Sequence, residues 1–204
     1  MTRLSWTALP NNYERGVDRG VLYFGQNEYS VWDGLVSVQE QATQSQGRPR
    51  FFDGVVYSID QEIADFQASV EAITFPYMLE DHVLALGDGL TYGATSYETR
   101  PFGFTYRTQR QGGYKIHLVY NIIATIETIE HQTLSSEATL TPFRFTLHTT
   151  PESVPGGRPS SHLYADTTIA SPEHIFQLEK ILYGSEDTSP RWPSVQNLVD
   201  LFSN

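Results

Sequence analysis

The sequence predicts a mainly β protein, and three observations carry that prediction. Apolar and polar residues alternate in several runs. Phe102, Phe104 and Tyr106 alternate with Gly103 and Thr105, and Tyr114, Ile116, Leu118 and Tyr120 with Lys115, His117 and Asn121. Phe143, Phe145 and Leu147 alternate with Arg144, Thr146 and His148. Successive strand residues point to opposite faces, so each run makes one apolar and one polar face. Turn chemistry separates the runs, with Gln111-Gly112-Gly113 as a hairpin signal. The third observation is composition: 39% hydrophobic and 13% aromatic residues among 204 are enough for a packed core and lie outside the disordered range. One β domain, or one with a small appendage, is expected at this length.

Residues 1–19 read as a polar arm broken by Pro10, Asn11 and Asn12. Strands are expected over residues 20–24 and 29–38, around Gly25-Gln26-Asn27. Residues 40–49 are polar without a large apolar side chain and read as a long loop or an extended hairpin tip. A loop of that length in a compact domain usually carries function or an interface. Residues 50–59 and 62–75 form the next expected hairpin, joined near Asp60 and Gln61. In its second strand Ala64, Phe66, Ala68, Val70 and Ala72 share one face, and Asp65, Gln67, Ser69 and Glu71 the other. Asp53 is expected to shape a turn or bulge before Gly54. Residues 75–86 are expected to form a short helix, ahead of a loop at Gly87-Asp88-Gly89, and a further long strand runs over residues 122–133.

The tail changes character. Ser171 suits an N-cap with Pro172 at the first helical position. Ile175, Leu178 and Leu182 fall at helical spacing, and Gly184 sits where a C-cap belongs. A second short helix is expected at residues 195–202, with Leu198 and Phe202 on one stripe. The division is therefore a β domain over residues 1–170 and a helical segment over residues 171–204 packed on its outside.

The absence of cysteine excludes disulfides, thiol nucleophiles and cysteine-based metal sites. No apolar run approaches the roughly 20 residues of a membrane span. Residues 1–10 lack the features of a signal peptide, so a soluble protein made in a cytoplasm is expected. A formal net charge of −11 makes for a poor nucleic-acid binder, because phosphate backbones repel it. Only Lys115 and Lys180 are lysines. Arginine in place of lysine reflects either a GC-rich genome or interface use, where its planar fork makes bidentate contacts.

A search for reaction chemistry returns nothing. His82, His117, His131, His148, His162 and His174 form neither H-x-x-x-H nor H-E-x-x-H. His117 and His148, on polar strand sides, read as hydrogen-bonded surface or interface histidines. Strand ligands converging from distant sequence stay open as a metal site, though nothing points to one. The G-x-S-x-G elbow is absent. Gly87, Gly89 and Gly93 read as turns, since no Lys-Ser/Thr follows them. No two carboxylates stand out as a glycosidase pair. No catalytic residue, metal or cofactor is therefore singled out, and the search for an active site comes back empty.

Seven phrases in order carry a resemblance. They are YERGVDRGVLY at residues 13–23, WDGLVSVQE at 32–40, FDGVVY at 52–57, FGFTYRT at 102–108, YKIHLVYN at 114–121, TTP at 149–151 and LEKILYG at 178–184. Together they resemble the major tail, or tail tube, proteins of long-tailed (siphovirus-type) phages of Gram-positive bacteria. The likeness spans about residues 13–202 and is loose over residues 87–95. It implies a two-sheet β-sandwich or barrel with an outer helix and short C-terminal helices. It also implies a structural virion protein, made in the host cytoplasm and residing in the tail, that polymerises as stacked hexameric rings. The resulting hollow tube is the conduit for genome ejection. The implied partners are further copies of the chain, with tail terminator and baseplate proteins at the tube ends. The tape measure protein and then DNA pass through the lumen without specific binding, and no membrane is involved. On this reading Glu40, Gln41, Thr43, Gln44, Gln46, Gly47, Arg48 and Arg50 are the candidate contacts to a neighbouring subunit or ring. Asp65, Gln67, Ser69 and Glu71 are candidates for a net-negative lumen wall, with few arginines pointing inward and most lying between subunits. A carbohydrate-binding or adhesin β-sandwich is the alternative, and a hydrolase on a β scaffold a third class.

Overall fold

The computed structural model describes residues 13–42, 48–60, 66–79, 83–93, 100–127 and 141–203. Eight strands build one antiparallel sheet: β1 (Glu14–Tyr23), β2 (Tyr29–Trp32), β3 (Leu35–Ala42), β6 (Phe66–Ala72), β9 (Phe102–Arg110), β10 (Gly113–Ile126), β11 (Phe143–Thr149) and β12 (His162–Asp166). Their order is β2-β1-β9-β10-β11-β6-β3, with β12 beside β10. Two separate hairpins join β4 (Arg48–Phe52) to β5 (Val55–Asp60) and β7 (Val83–Gly87) to β8 (Leu90–Gly93). Two helices follow, α1 (Pro172–Tyr183) and α2 (Val195–Ser203).

The two packed sheets that were expected are one sheet curled on itself. Trp32 of β2, at one end of the ladder, meets Phe145 of β11 edge-on at 5.3 Å and Phe104 of β9 at 5.4 Å. Strands far apart in the ladder meet across a shared interior with Leu22, Val70, Tyr106, Val119 and Leu147. The turn at Asp33-Gly34 joins the two ends of the ladder, with Gly34 at φ 81°. Gly20 of β1 lets β3 close in, since a Cβ there would lie 2.6 Å from Leu35 Cδ1.

The helices cover the outer face of β1, β9, β10 and β12. Ile175, Leu178, Leu182, Val195 and Leu198 pack on Val21, Tyr23, Ile116, Leu118, Tyr120 and Ala165. Trp192 wedges between Tyr23 (4.9 Å) and Tyr120 (4.7 Å) and lies directly over Gly103. This layer buries Gly103 and Thr105, so both faces of that strand are apolar surroundings. The caps of α1 are those expected. Ser171 accepts from the His174 N–H at 3.2 Å, and Gly184 takes φ 80° and donates to the Lys180 carbonyl.

The runs expected at residues 114–121 and 122–133 begin as one strand, β10. Asn121 sits at φ 50° beside a register shift against β9. That bulge resets the alternation. Before it Ile116, Leu118 and Tyr120 face the helices, and after it Ile122 faces the interior.

Two expectations are corrected. The helix over residues 75–86 is one 3-10 turn at Tyr77–Leu79 followed by β7. Asp88-Gly89 lies between the paired residues Gly87 and Leu90, and this two-residue hairpin signal outweighs a weak helical pattern. The hairpin assigned to residues 50–59 and 62–75 is instead β4–β5, turning at Asp53-Gly54 where both residues have positive φ. β6 pairs with β3 and β11.

Candidate functional site

Strands β3, β6 and β11 present an outer face that no helix covers among the described residues. Glu71 of β6 stands between Ser37 and Arg144, Ser69 between Gln39 and Thr146, and Gln67 between Gln41 and His148. The alternate residues Ala68, Val70 and Ala72 are buried in the interior. The expected polar face of this strand is therefore present, and its side chains are half-buried by their cross-strand neighbours. Asp65 lies outside the described residues. Arg144 shares the face, with Nη2 at 3.3 Å from Glu71 Oε1, and Thr146 donates to Glu127 Oε1 at 2.5 Å.

The contact set of residues 40–50 is not a single loop. Glu40 and Gln41 belong to β3, Arg48 and Arg50 to β4, and Thr43, Gln44, Gln46 and Gly47 lie outside the described residues. Gln41 sits opposite Gln67 on the bare face, whereas Glu40 sits opposite Ala68 and turns inward. Its Oε1 accepts from the Tyr106 hydroxyl at 2.7 Å. A β3 that continues to Ala42 satisfies its backbone against β6, which a polar sequence does as well as an apolar one.

The exposed apolar surface lies just beyond. Phe51, Phe52, Val55, Val56 and Tyr57 all remain in water on the β4–β5 hairpin. An isolated two-stranded hairpin is marginal in water, and exposed apolar clusters mark contact sites.

At the mouth of the curled sheet, Glu40, His117 and His162 come together. The Tyr106, His117 and His162 rings lie nearly parallel in series, with centroids 4.5 and 5.2 Å apart. His117 Nδ1 is 3.0 Å from His162 Nε2 and 3.4 Å from Glu40 Oε1. On its other side, His117 Nε2 is 2.9 Å from Thr108 Oγ1, and Thr108 spends its proton on Glu14 Oε2 at 2.8 Å. The Thr108 oxygen thus accepts from His117 Nε2–H, and the lone pair of His117 is left on Nδ1, facing His162. Burial lowers the pKa of both imidazoles, that of His162 to about 4, so both are neutral at pH 7. Burial works to raise the Glu14 carboxyl, but hydrogen bonds from Lys115 and Thr108 outweigh it and the net shift is downward.

His117 is thus buried, not the surface or interface histidine expected, because the polar side of its strand is the interior of the curl. His148 is exposed as expected. No local spacing marks the cluster. His117 and His162 are 45 residues apart and meet only because β12 lies beside β10. No family model matches the chain, and no curated protein matches it. No helix among the described residues is long and apolar enough to cross a membrane.

Proposed function

We propose that the chain is the repeating, non-enzymatic subunit of a hollow tail tube of a long-tailed phage, assembled as stacked hexameric rings through which the genome is ejected. The observation that carries this reading is the β4–β5 hairpin, whose five large apolar side chains have no cover among the described residues. A homopolymer supplies the cover at every repeat, through a contact between unlike surfaces that propagates along an axis. The order of sequence phrases from Tyr13 to Gly184 supports the same assignment. The division of the sheet supports it as well. Helices shield one stretch of the outer face, and the polar face of β3, β6 and β11 is left for the lumen wall. Carbohydrate binding draws on the same exposed aromatics and is the reading to beat.

Electron microscopy of the full chain at high concentration tests the proposal. Rings or hollow tubes are the expected result. A protein that stays monomeric at every concentration while binding a glycan would overturn it in favour of the adhesin class.

A further inference from the structure

The geometry points to a divalent transition-metal site of the zinc class, formed by Glu40, His117 and His162 at the open mouth of the curled sheet. One donor atom from each residue lies within 4.8 Å of the other two. Donors that sit 2.0–2.1 Å from a tetrahedral zinc ion are about 3.3 Å from one another. The 3.0 and 3.4 Å separations around His117 Nδ1 bracket that value, and the third, between Glu40 and His162, is within 4.8 Å and closes by a turn of the partly exposed Glu40 side chain.

Two further features fit a metal centre. The first is the outer support of His117. Its Nε2–H is held by Thr108, itself anchored on Glu14, which fixes the tautomer that leaves Nδ1 free to ligate. Metal-bound histidines commonly have such a partner on their other nitrogen. The second is access. A cleft of about 380 Å³ between β1 and β3 is lined by Glu14, Val17, Val38, Glu40, Tyr106 and Thr108, and so opens from solvent onto the Glu40 ligand and the Thr108 that holds His117. His162 shifts its proton from Nε2 to Nδ1 on ligation, on the side where Glu40 Oε2 lies 3.9 Å away. Two imidazoles with one carboxylate favour zinc over magnesium or calcium, which prefer all-oxygen sets.

The ligands come from β3, β10 and β12. β3 ends the hydrogen-bonded order and β12 pairs only with β10, so β3 pairs directly with neither of the other two and reaches them only through β6 and β11. A bound ion would tie those strands together and close this end of the curl. The site goes beyond the tail tube reading and does not depend on it.

The test uses the full chain, stripped with a chelator and titrated with zinc chloride by calorimetry. One saturable equivalent per chain is expected, with binding weakened in Glu40→Gln and His162→Gln by more than the roughly 10–100-fold that loss of an outer-shell partner costs. His148→Gln, which alters an exposed histidine outside the cluster, should bind as the parent does. Nitrogen-15 imidazole spectra should show zinc perturbing His117 Nδ1 and His162 Nε2, and thermal unfolding should shift upward with zinc but not with magnesium. Glu40→Gln alters a partly exposed carboxylate, so the test survives if a histidine variant fails to fold. Undiminished binding in Glu40→Gln, no saturable binding to the parent, or zinc shifts confined to other histidines would overturn the site.

Discussion

The double substitution Phe52→Ser and Tyr57→Ser separates assembly from folding. Phe52 and Tyr57 keep 73% and 82% of their surface in water, and their rings lie 6.4 Å apart on one hairpin. Large aromatic side chains bury 150–250 Å², so the pair leaves on the order of 300 Å² of apolar surface for a neighbour to cover. At roughly 25 cal/mol per Å² full cover contributes about 7 kcal/mol. Imperfect packing and the ordering of side chains on association halve that to about 3–4 kcal/mol per subunit added. With tenfold for each 1.4 kcal/mol, the critical concentration for tube formation should rise about 100-fold or more. Sedimentation of polymer against total protein measures it. The isolated subunit should hold its urea midpoint, because surface changes away from packed contacts stay within about 0.5 kcal/mol. Tubes forming within a few-fold of the parent's critical concentration would refute the reasoning. So would a subunit destabilised by about 2 kcal/mol or more, which would mean that the hairpin packs on its own chain.

Gly103→Ala places a methyl group in steric clash with Trp192 Cε2, so overpacking should cost about 1–3 kcal/mol in urea unfolding and change Trp192 fluorescence; an unchanged midpoint would mean that Trp192 is not seated there. Asp18 meets Arg107 through two hydrogen bonds, at 2.7 and 2.8 Å, and these lower its pKa from 3.8. A lowered carboxylate pKa stabilises the fold above 3.8, and that contribution is lost as pH falls through the folded value. Asp18→Asn should therefore lower stability at neutral pH and flatten the acid limb of a stability–pH profile, and parallel limbs in parent and variant would count against the pairing.

The sequence made legible what depends on near neighbours. Alternation located β9, β10 and β11, and Ser171, Pro172 and Gly184 bounded α1, because strand period and capping are local physics. Local signals also competed. Residues 75–86 have a helical spacing, yet Asp88-Gly89 offers a tight turn that lets β7 and β8 pair. The curl was out of reach, since it depends on Trp32 meeting Phe145 across the interior. That same closure turns the polar side of β10 inward and makes His117 a buried residue. Glu40 belonged to a polar run and read as loop. Only the pairing of β3 with β6 shows which way its carboxylate points.

The same distinction between local composition and placement applies to charge. The expectation that most arginines lie between subunits does not follow from their use within the chain. Arg107 is held by Asp18, Arg110 by Asp166, Arg100 by Glu28 and Arg144 by Glu71, while Arg19 reaches Glu179 and lies over the Tyr183 ring. The face proposed for the lumen therefore does not need a dense row of acids. Glu71 pairs with the cation Arg144, Glu127 accepts from Thr146, and the other described positions are Ser37, Gln39, Gln41, Gln67, Ser69 and His148. Phosphate contacts that brake DNA arise where cations release counterions, each contact adding to the salt dependence. A cation already paired with a carboxylate offers less for a phosphate to gain, and screening over about 8 Å confines the competition to the wall itself. On the tail tube reading, a wall of amides and hydroxyls is slippery because its one described cation is already paired and the carboxylates outnumber it, two to one.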